Sequence, residues 1–222
     1  PADGLVADDT YRIGVCIPRA ASTKMLVVHQ ADEAFLFETA VEALARQGPS
    51  GSLALRKVTA SRLGAEDLAW ADVTVFSSLP ADFSCPTALL KNFLIRGGRL
   101  IFFATDVGNL QVCEHLLREG LLAALPQKWI QGIVCPEPQP VAGGGISLGE
   151  QAAKALANYR FDKIALKGRW QCRVPPESEC LWRLAGGAGF VYGLSSRNGS
   201  TILVNTSIDG SLGLLAKSGA WV

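Results

Sequence analysis

Six polar residues directly follow apolar segments that have the character of buried strands, and these residues are the candidates for chemistry. They are His29, Gln30, Ser77, Ser78, Thr105 and Asp106. A histidine beside a hydroxyl is the pairing that nucleophilic catalysis needs, because the imidazole takes the proton from the attacking oxygen. His29, Ser77 and Thr105 therefore form the candidate constellation for a divergent hydrolase or amidotransferase.

A simpler interpretation of the same residues is structural. Loops that follow strands are polar in any fold, and helices need capping residues, so Asp106 is expected to cap the helix after it. The position of a residue at a strand end does not by itself supply function. The sequence favours this interpretation, and we assign no catalytic residue from it.

Other catalytic and cofactor motifs are missing from the sequence. His115 is predicted to lie within a helix two residues from Cys113, and residues at that spacing do not face each other. There is no glycine-rich phosphate motif and no C-x-x-C pair, so we predict no cofactor and no metal. Cys172 and Cys180 could pair across a short loop or remain free thiols, and cysteine burial in general favours free thiols.

Composition bounds the class of protein. The 222 residues are 49% hydrophobic and 18% charged, which suits one large folded domain and argues against disorder. The formal net charge of +1 gives no electrostatic basis for binding nucleic acid or an anionic membrane surface. No apolar run approaches the roughly 18 residues of a membrane span, so the sequence predicts a soluble domain. The apolar ending at Trp221 and Val222 suggests a piece of a longer protein.

Apolar runs alternate with helical stripes through the first half of the chain. The runs predicted as inner strands are Met25–His29, Asp72–Ser77 and Arg99–Ala104, with a weaker strand at Leu53–Val58. The predicted helices are Asp32–Arg46, Cys85–Arg96 and Asp106–Leu117. Strands separated by helical crossovers form a parallel sheet, so the fold class is α/β, with a doubly wound, mostly parallel, flavodoxin-like sheet.

The organisation changes along the chain. Residues 1–20 are predicted to be an N-terminal strand or the remnant of a preceding domain, and residues 21–222 the α/β domain. From about residue 150 the chain is β-rich, after a helix predicted at Glu150–Tyr159, and we expect antiparallel strands that extend the sheet. Asn198-Gly199 between two apolar runs predicts a β-hairpin with a type I′ turn, in which both residues have positive φ.

Three segments carry a resemblance to a known superfamily. Lys24–His29, Asp72–Ser78 and Ile95–Phe103 resemble the class I glutamine amidotransferase-like fold, the last by its helix, Gly-Gly and buried strand. In active members the strand matching Arg99–Ala104 ends in Gly-x-Cys-x-Gly, whereas here the residues are Ala-Thr-Asp-Val-Gly at 104–108. No histidine follows His115 in this chain. The resemblance therefore implies a retained fold without glutaminase chemistry.

A narrower resemblance concerns the end of the chain. Leu181–Val222, with the Gly97-Gly98 strand, is similar to the extracytoplasmic region of bacterial aerotolerance-regulator (BatA-type) membrane proteins. The resemblance implies a non-catalytic ligand- or protein-interaction domain of a larger, membrane-anchored bacterial protein, located outside the cytoplasm. Its partners would be other protein domains or subunits, and the membrane would be contacted only through segments outside this sequence.

Overall fold

The computed structural model describes residues 23–29, 53–82, 86–105, 109–134, 139–140, 166–184 and 186–206. Several predictions fall on other residues and so lie outside the described part of the chain. These are the strand in residues 1–20, the helices Asp32–Arg46 and Glu150–Tyr159, and the candidate residues Gln30 and Asp106.

Strands and helices alternate through the first half of the described chain, and strands dominate the second half. The strands are β1 (Thr23–His29), β2 (Leu53–Thr59), β3 (Val73–Phe76), β4 (Arg99–Phe103), β5 (Leu125–Val134), β6 (Gln139–Pro140), β7 (Leu166–Arg173), β8 (Glu179–Arg183), β9 (Gly189–Ser195) and β10 (Ser200–Val204). The α-helices are α1 (Ala65–Trp70), α2 (Thr87–Ile95) and α3 (Leu110–Arg118), and one 3₁₀ turn covers Ala60–Arg62.

Eight of these strands form one mixed sheet in the order β2-β1-β3-β4-β10-β9-β8-β6. The pairs among β2, β1, β3, β4 and β10 are parallel, and β9 is antiparallel to both β10 and β8. The three predicted inner strands are confirmed as β1, β3 and β4, and the predicted antiparallel extension is confirmed as well. The strand order reverses at β1, as it does in doubly wound sheets.

Buried apolar side chains cover both faces of the sheet, as the continuous apolar runs predicted. On one face, Leu26 and Phe102 pack with residues from every described helix, including Leu68, Leu90 and Leu116. On the other face, a second cluster includes Val27, Val75 and Phe103. The parallel strands, which are buried on both faces, therefore hold the residues at their carboxyl ends in fixed positions.

One strand and one helix cap differ from the sequence analysis. Helix α3 ends at Arg118, and Leu125 begins β5, a strand that was not predicted and that pairs with β7 in a separate two-stranded sheet. The expected cap at Asp106 is also wrong. Helix α3 is capped by Asn109, whose side-chain oxygen accepts hydrogen bonds from the backbone N–H groups of Gln111 and Val112 at 3.0 and 3.3 Å.

The β9–β10 hairpin is confirmed, but its turn type is not. No non-glycine residue in the described chain has positive φ, so Asn198 is not in the conformation that a type I′ turn requires. The Ser196 N–H donates to the Gly199 carbonyl at 3.0 Å, which centres the turn on Arg197 and Asn198. The Asn198 side chain instead donates to the Ile95 carbonyl at 2.9 Å and so caps the end of α2.

Candidate functional site

A crevice of about 220 Å³ opens at the carboxyl ends of β1, β2 and β3. Its described lining combines polar and apolar side chains. The polar residues are Thr59, Ser61, Ser78 and Asp82, and the apolar residues are Val28, Ala60, Leu63, Phe76, Pro80 and Ala81. In the sheet, β2 lies on one side of β1 and β3 on the other, so the strand order reverses at β1, and open α/β sheets form ligand sites at such positions.

Ser78 forms part of the crevice wall two residues beyond the end of β3. Val28 and Phe76 pair across β1 and β3, and the Ser77 N–H continues the ladder by donating to the Val28 carbonyl at 3.0 Å. Successive side chains point to opposite faces of a sheet. His29 therefore points to the face opposite Val28, and Ser78, just beyond the strand, lines the crevice together with Phe76 and Val28.

The Ser78 hydroxyl is buried and makes no hydrogen bond. The residue is only 6% exposed, and its Oγ has no donor or acceptor within reach. Burying a hydroxyl without a partner costs about 1–3 kcal/mol. Of the buried, unpartnered hydroxyls in the described chain, Ser78 is the one that lines the crevice. A ligand in the crevice can supply the missing bond, since one rotation about the Cα–Cβ bond turns the hydroxyl between three staggered positions.

Three further polar residues complete the described lining, and sequence reasoning missed them. The hydroxyl oxygen of Thr59, the last residue of β2, lies 3.5 Å from that of Ser61, and Asp82 is exposed beyond the end of β3. The position at a strand end that made Ser78 a candidate is shared by Thr59. The sequence pattern that predicts a buried strand is weaker before Thr59, because the exposed residues Arg56 and Lys57 interrupt the apolar run Leu53–Val58.

The structure does not assemble His29, Ser77 and Thr105 into a catalytic arrangement. The Thr105 hydroxyl donates to the Ser77 carbonyl oxygen at 2.6 Å, which ties the end of β4 to the end of β3. The Ser77 hydroxyl is fully buried and makes no hydrogen bond, so His29 does not activate it. His29 itself is half-buried and is not among the described residues that line the crevice.

The ends of β4 and β10 are occupied by side chains of the protein itself. The Trp170 indole N–H donates to the Ala104 carbonyl at 2.7 Å, one residue before Thr105. The Asn205 side chain accepts from the Trp170 N–H at 2.9 Å and donates to the carbonyls of Trp170 and Gly189 at 2.8 and 3.0 Å. These bonds fasten β7 to the sheet beside the position where active amidotransferases carry their nucleophile.

The cysteines of the described chain are free thiols. Cys113 is buried in the core, and Cys172 and Cys180 are half-buried without a disulfide between them. Burial raises the pKa of Cys113 to about 11 and that of Cys172 to about 12, and it raises the pKa of Cys180 as well. Thiols of this kind stay protonated at neutral pH and are poor nucleophiles.

These thiols predict a loss of stability at alkaline pH. A thiol of pKa 9.0 in the unfolded chain releases its proton above pH 9, whereas the folded chain holds the proton on Cys113 and Cys172 up to pH 11–12. Their contribution is fully present below pH 9 and is lost as the pH rises through that window. We expect the urea midpoint to fall as the pH rises from about 9 to 11, and to fall less in a Cys113→Ala/Cys172→Val variant. An identical fall in both proteins would contradict the assignment.

Among the residues that the structure describes, no group of three or more histidine, cysteine, aspartate or glutamate side chains is arranged to hold a metal ion. None of the described helices combines the length and the hydropathy needed to cross a membrane.

Comparison with known proteins identifies the fold. No protein-family model and no curated protein matches this sequence. A cytoplasmic protein from Salmonella typhimurium is similar in structure over 89% of this chain and 96% of its own, with a TM-score of 0.62 and 10% identity. A putative ThuA-like protein from Bacteroides uniformis is similar over 95% of this chain and 92% of its own, with a TM-score of 0.53 and 14% identity.

A third similar structure belongs to a longer protein. An exo-beta-1,4-mannosidase from an Opitutaceae bacterium matches 90% of this chain with 33% of its own, with a TM-score of 0.55 and 14% identity. At these identities the likeness establishes architecture alone. The chain has the class I glutamine amidotransferase-like fold that ThuA-like proteins share.

Proposed function

We propose that this chain is a non-catalytic binding domain whose small ligand occupies the crevice at the ends of β1, β2 and β3. The observation that carries the proposal is the buried, unpartnered hydroxyl of Ser78 in the wall of that crevice. A polar group left without a partner lowers stability, and such groups concentrate where a bound molecule completes the hydrogen bonding.

Support for the absence of catalysis comes from the end of β4. The match to Gly-x-Cys-x-Gly puts Asp106 at the nucleophile position, and the hydroxyl of the adjacent Thr105 donates to a backbone carbonyl. A threonine hydroxyl becomes a useful nucleophile only when a base accepts its proton. The alternative of a hydrolase around His29, Ser77 and Thr105 gains no support from this geometry, because the Thr105 hydroxyl donates its hydrogen bond to a carbonyl and the Ser77 hydroxyl has no partner.

The proposal also places the domain in a larger bacterial protein that is anchored in a membrane and carries this domain outside the cytoplasm. The resemblance of Leu181–Val222 to the BatA-type proteins supports that placement. The mannosidase supports only the idea of a larger protein, since it contains this fold as about a third of its chain. The sequence of the complete gene product tests both points, because flanking membrane helices are required.

The binding proposal is tested by thermal-shift screening of small polar metabolites against the wild type and a blocked variant. Ser61→Trp places an indole at the crevice mouth from an exposed position, so folding is expected to be unaffected. Arg197→Trp adds the same side chain to the exposed hairpin at the other end of the sheet. We expect compounds that raise the Tm of the wild type and of Arg197→Trp but not of Ser61→Trp. Finding none, or finding that Ser61→Trp responds equally, would refute the proposal.

A further inference from the structure

We propose that the outer face of the β5–β7 sheet binds an acidic, extended segment of a partner protein. This inference goes beyond the proposed function and concerns a different surface from the crevice. It is drawn from the exposure, the charge and the spacing of five side chains, which together are called the ribbon face. They are Lys128, Ile130, Arg169, Gln171 and Arg173.

The pairing of β5 with β7 puts these five side chains on one side of the two-stranded sheet. Side chains alternate between faces along a strand, so Arg169, Gln171 and Arg173 share one face of β7. Residues opposite each other in register also share a face, and Lys128 pairs with Gln171, as Ile130 does with Arg169. The opposite face of β7 carries the indole that is hydrogen-bonded to the end of β4, so the ribbon face points away from the main sheet.

The ribbon face is open to solvent. Lys128, Gln171 and Arg173 are exposed, Arg169 is half-buried, and Ile130 is 37% exposed. Within the part of the chain that the structure describes, no carboxylate lies at ion-pair distance from any of these three cations. No described ion pair therefore has to be broken before a partner binds.

The charge of the two strands is of one sign. Strands β5 and β7 contain Lys128, Lys167, Arg169 and Arg173 but no aspartate or glutamate. The chain as a whole is nearly balanced, with 21 basic and 20 acidic residues, so the excess is local. Opposite charges on facing strands stabilise a sheet, whereas like charges repel each other. A partner that carries carboxylates supplies the charge that these two strands lack.

The spacing of the cations matches an extended peptide. Alternate residues of a strand lie about 6.8 Å apart, so Arg169 and Arg173 are separated by about 14 Å. Lys128 lies opposite the intermediate residue Gln171. The three cations therefore recur at steps of about 7 Å along the sheet, which is also the repeat of side chains on one face of an extended peptide. Carboxylates on three alternate residues of such a peptide can each meet a cation.

An acidic peptide fits this face better than a single-stranded nucleic acid, whose bases stack on aromatic side chains. The aromatic residues Trp129 and Trp170 pair in register and pack edge to face on the inner side of the sheet. The ribbon face instead has the aliphatic Ile130 opposite one of its cations. An apolar side chain of a peptide can pack there, whereas a base finds no aromatic surface among these five residues.

Titration of the ¹⁵N-labelled protein with short peptides at about 20 mM salt tests the inference and detects weak binding. One peptide alternates threonine with three glutamates, and the other has lysines in place of the glutamates. We expect the glutamate peptide alone to shift amide signals, in residues 128–130 and 169–173, and to bind more weakly at about 200 mM salt because exposed ion pairs are screened. No binding by the glutamate peptide overturns the inference, as does tighter binding by a thymidine oligonucleotide of equal charge.

Two double variants with the same change in net charge locate the binding. Lys128→Gln/Arg173→Gln removes two cations of the ribbon face, and Arg99→Gln/Arg197→Gln removes two exposed arginines from the start of β4 and the β9–β10 turn. We expect the first variant to bind the glutamate peptide about three- to tenfold more weakly, the range of two exposed ion pairs. The second variant is expected to bind it as the wild type does. An equal loss in both would overturn the inference.

Reversing the charge of the ribbon face is expected to reverse its preference. Lys128→Glu/Arg173→Glu should bind the lysine peptide and lose the glutamate peptide, and both positions are exposed, so folding is expected to be unaffected. A variant that still prefers glutamate contradicts the inference. Ser61→Trp, which blocks the crevice mouth, is expected to bind the glutamate peptide unchanged. Loss of peptide binding in that variant would place the peptide in the crevice and overturn the inference.

Discussion

Replacing Asn205 with alanine is expected to lower the free energy of unfolding by about 3 kcal/mol or more. The Asn205 side chain is fully buried and makes three hydrogen bonds to backbone groups, two on Trp170 and one on Gly189. Alanine removes these partners from the Trp170 N–H and the Gly189 carbonyl, and it leaves the Trp170 carbonyl with the weak S–H donor of Cys172 at 3.8 Å. Each buried group that loses its partner costs about 1–3 kcal/mol.

Urea denaturation of Asn205→Ala beside Asn198→Ala measures this effect. The Asn198 side chain makes one hydrogen bond, to the Ile95 carbonyl, from an exposed position, so its loss is expected to cost about 1 kcal/mol or less. The Asn205 variant is also expected to alter Trp fluorescence, since the Trp170 backbone is released. A loss below about 1 kcal/mol for Asn205→Ala would show that water or a rearranged backbone satisfies these groups.

The second large effect is expected from Gly199→Ala, which should cost about 3 kcal/mol. A Cβ built on Gly199 would lie 2.5 Å from the carbonyl oxygens of both Leu94 and Gly98, and 3.0 Å from the Leu94 Cα. All three atoms belong to backbone, so no side-chain rotation relieves the overlap. Adding an atom to a well-packed contact costs about 1–3 kcal/mol of stability. Because the opposing atoms here belong to the backbone, we expect a cost at the upper end of that range.

Gly187→Ala is the matched control for that prediction. Gly187 has a φ of +83°, and a Cβ added there would have no atom within 4 Å, so the alanine meets only backbone strain. That strain is worth about 1 kcal/mol. If Gly199→Ala unfolds at the same urea concentration as Gly187→Ala, the hairpin does not pack against the end of α2 as described.

The parallel part of the fold could be predicted because its signal is local. The apolar runs that became β1, β3 and β4 are buried on both faces, and a continuous hydrophobic segment bounded by helices has few other solutions. The same reasoning placed Ser78 at a strand end. The hairpin was predicted from Asn198-Gly199, although these residues serve the contact with α2 rather than a type I′ turn.

The second sheet could not be predicted because its cause is a long-range contact. Strand β5 contains Pro126 and Gly132, which argue locally against a strand. It forms because β7, which is distant in sequence, supplies a partner, with Trp129 and Trp170 packed edge to face at 5.3 Å. The crevice also depends on contacts between residues that are distant in sequence, since the loops after β2 and β3 meet only when β1 pairs between those strands.

The most direct test of the binding account is to locate a bound ligand by NMR. ¹⁵N-labelled wild-type protein is titrated with the compound that raises its Tm most in the screen, and the shifted amide signals are assigned. We predict that they cluster in residues 59–63 and 76–82, around the crevice. Shifts concentrated instead at Ala104, Thr105 and the Trp170 indole would place the ligand at the amidotransferase position and contradict the account.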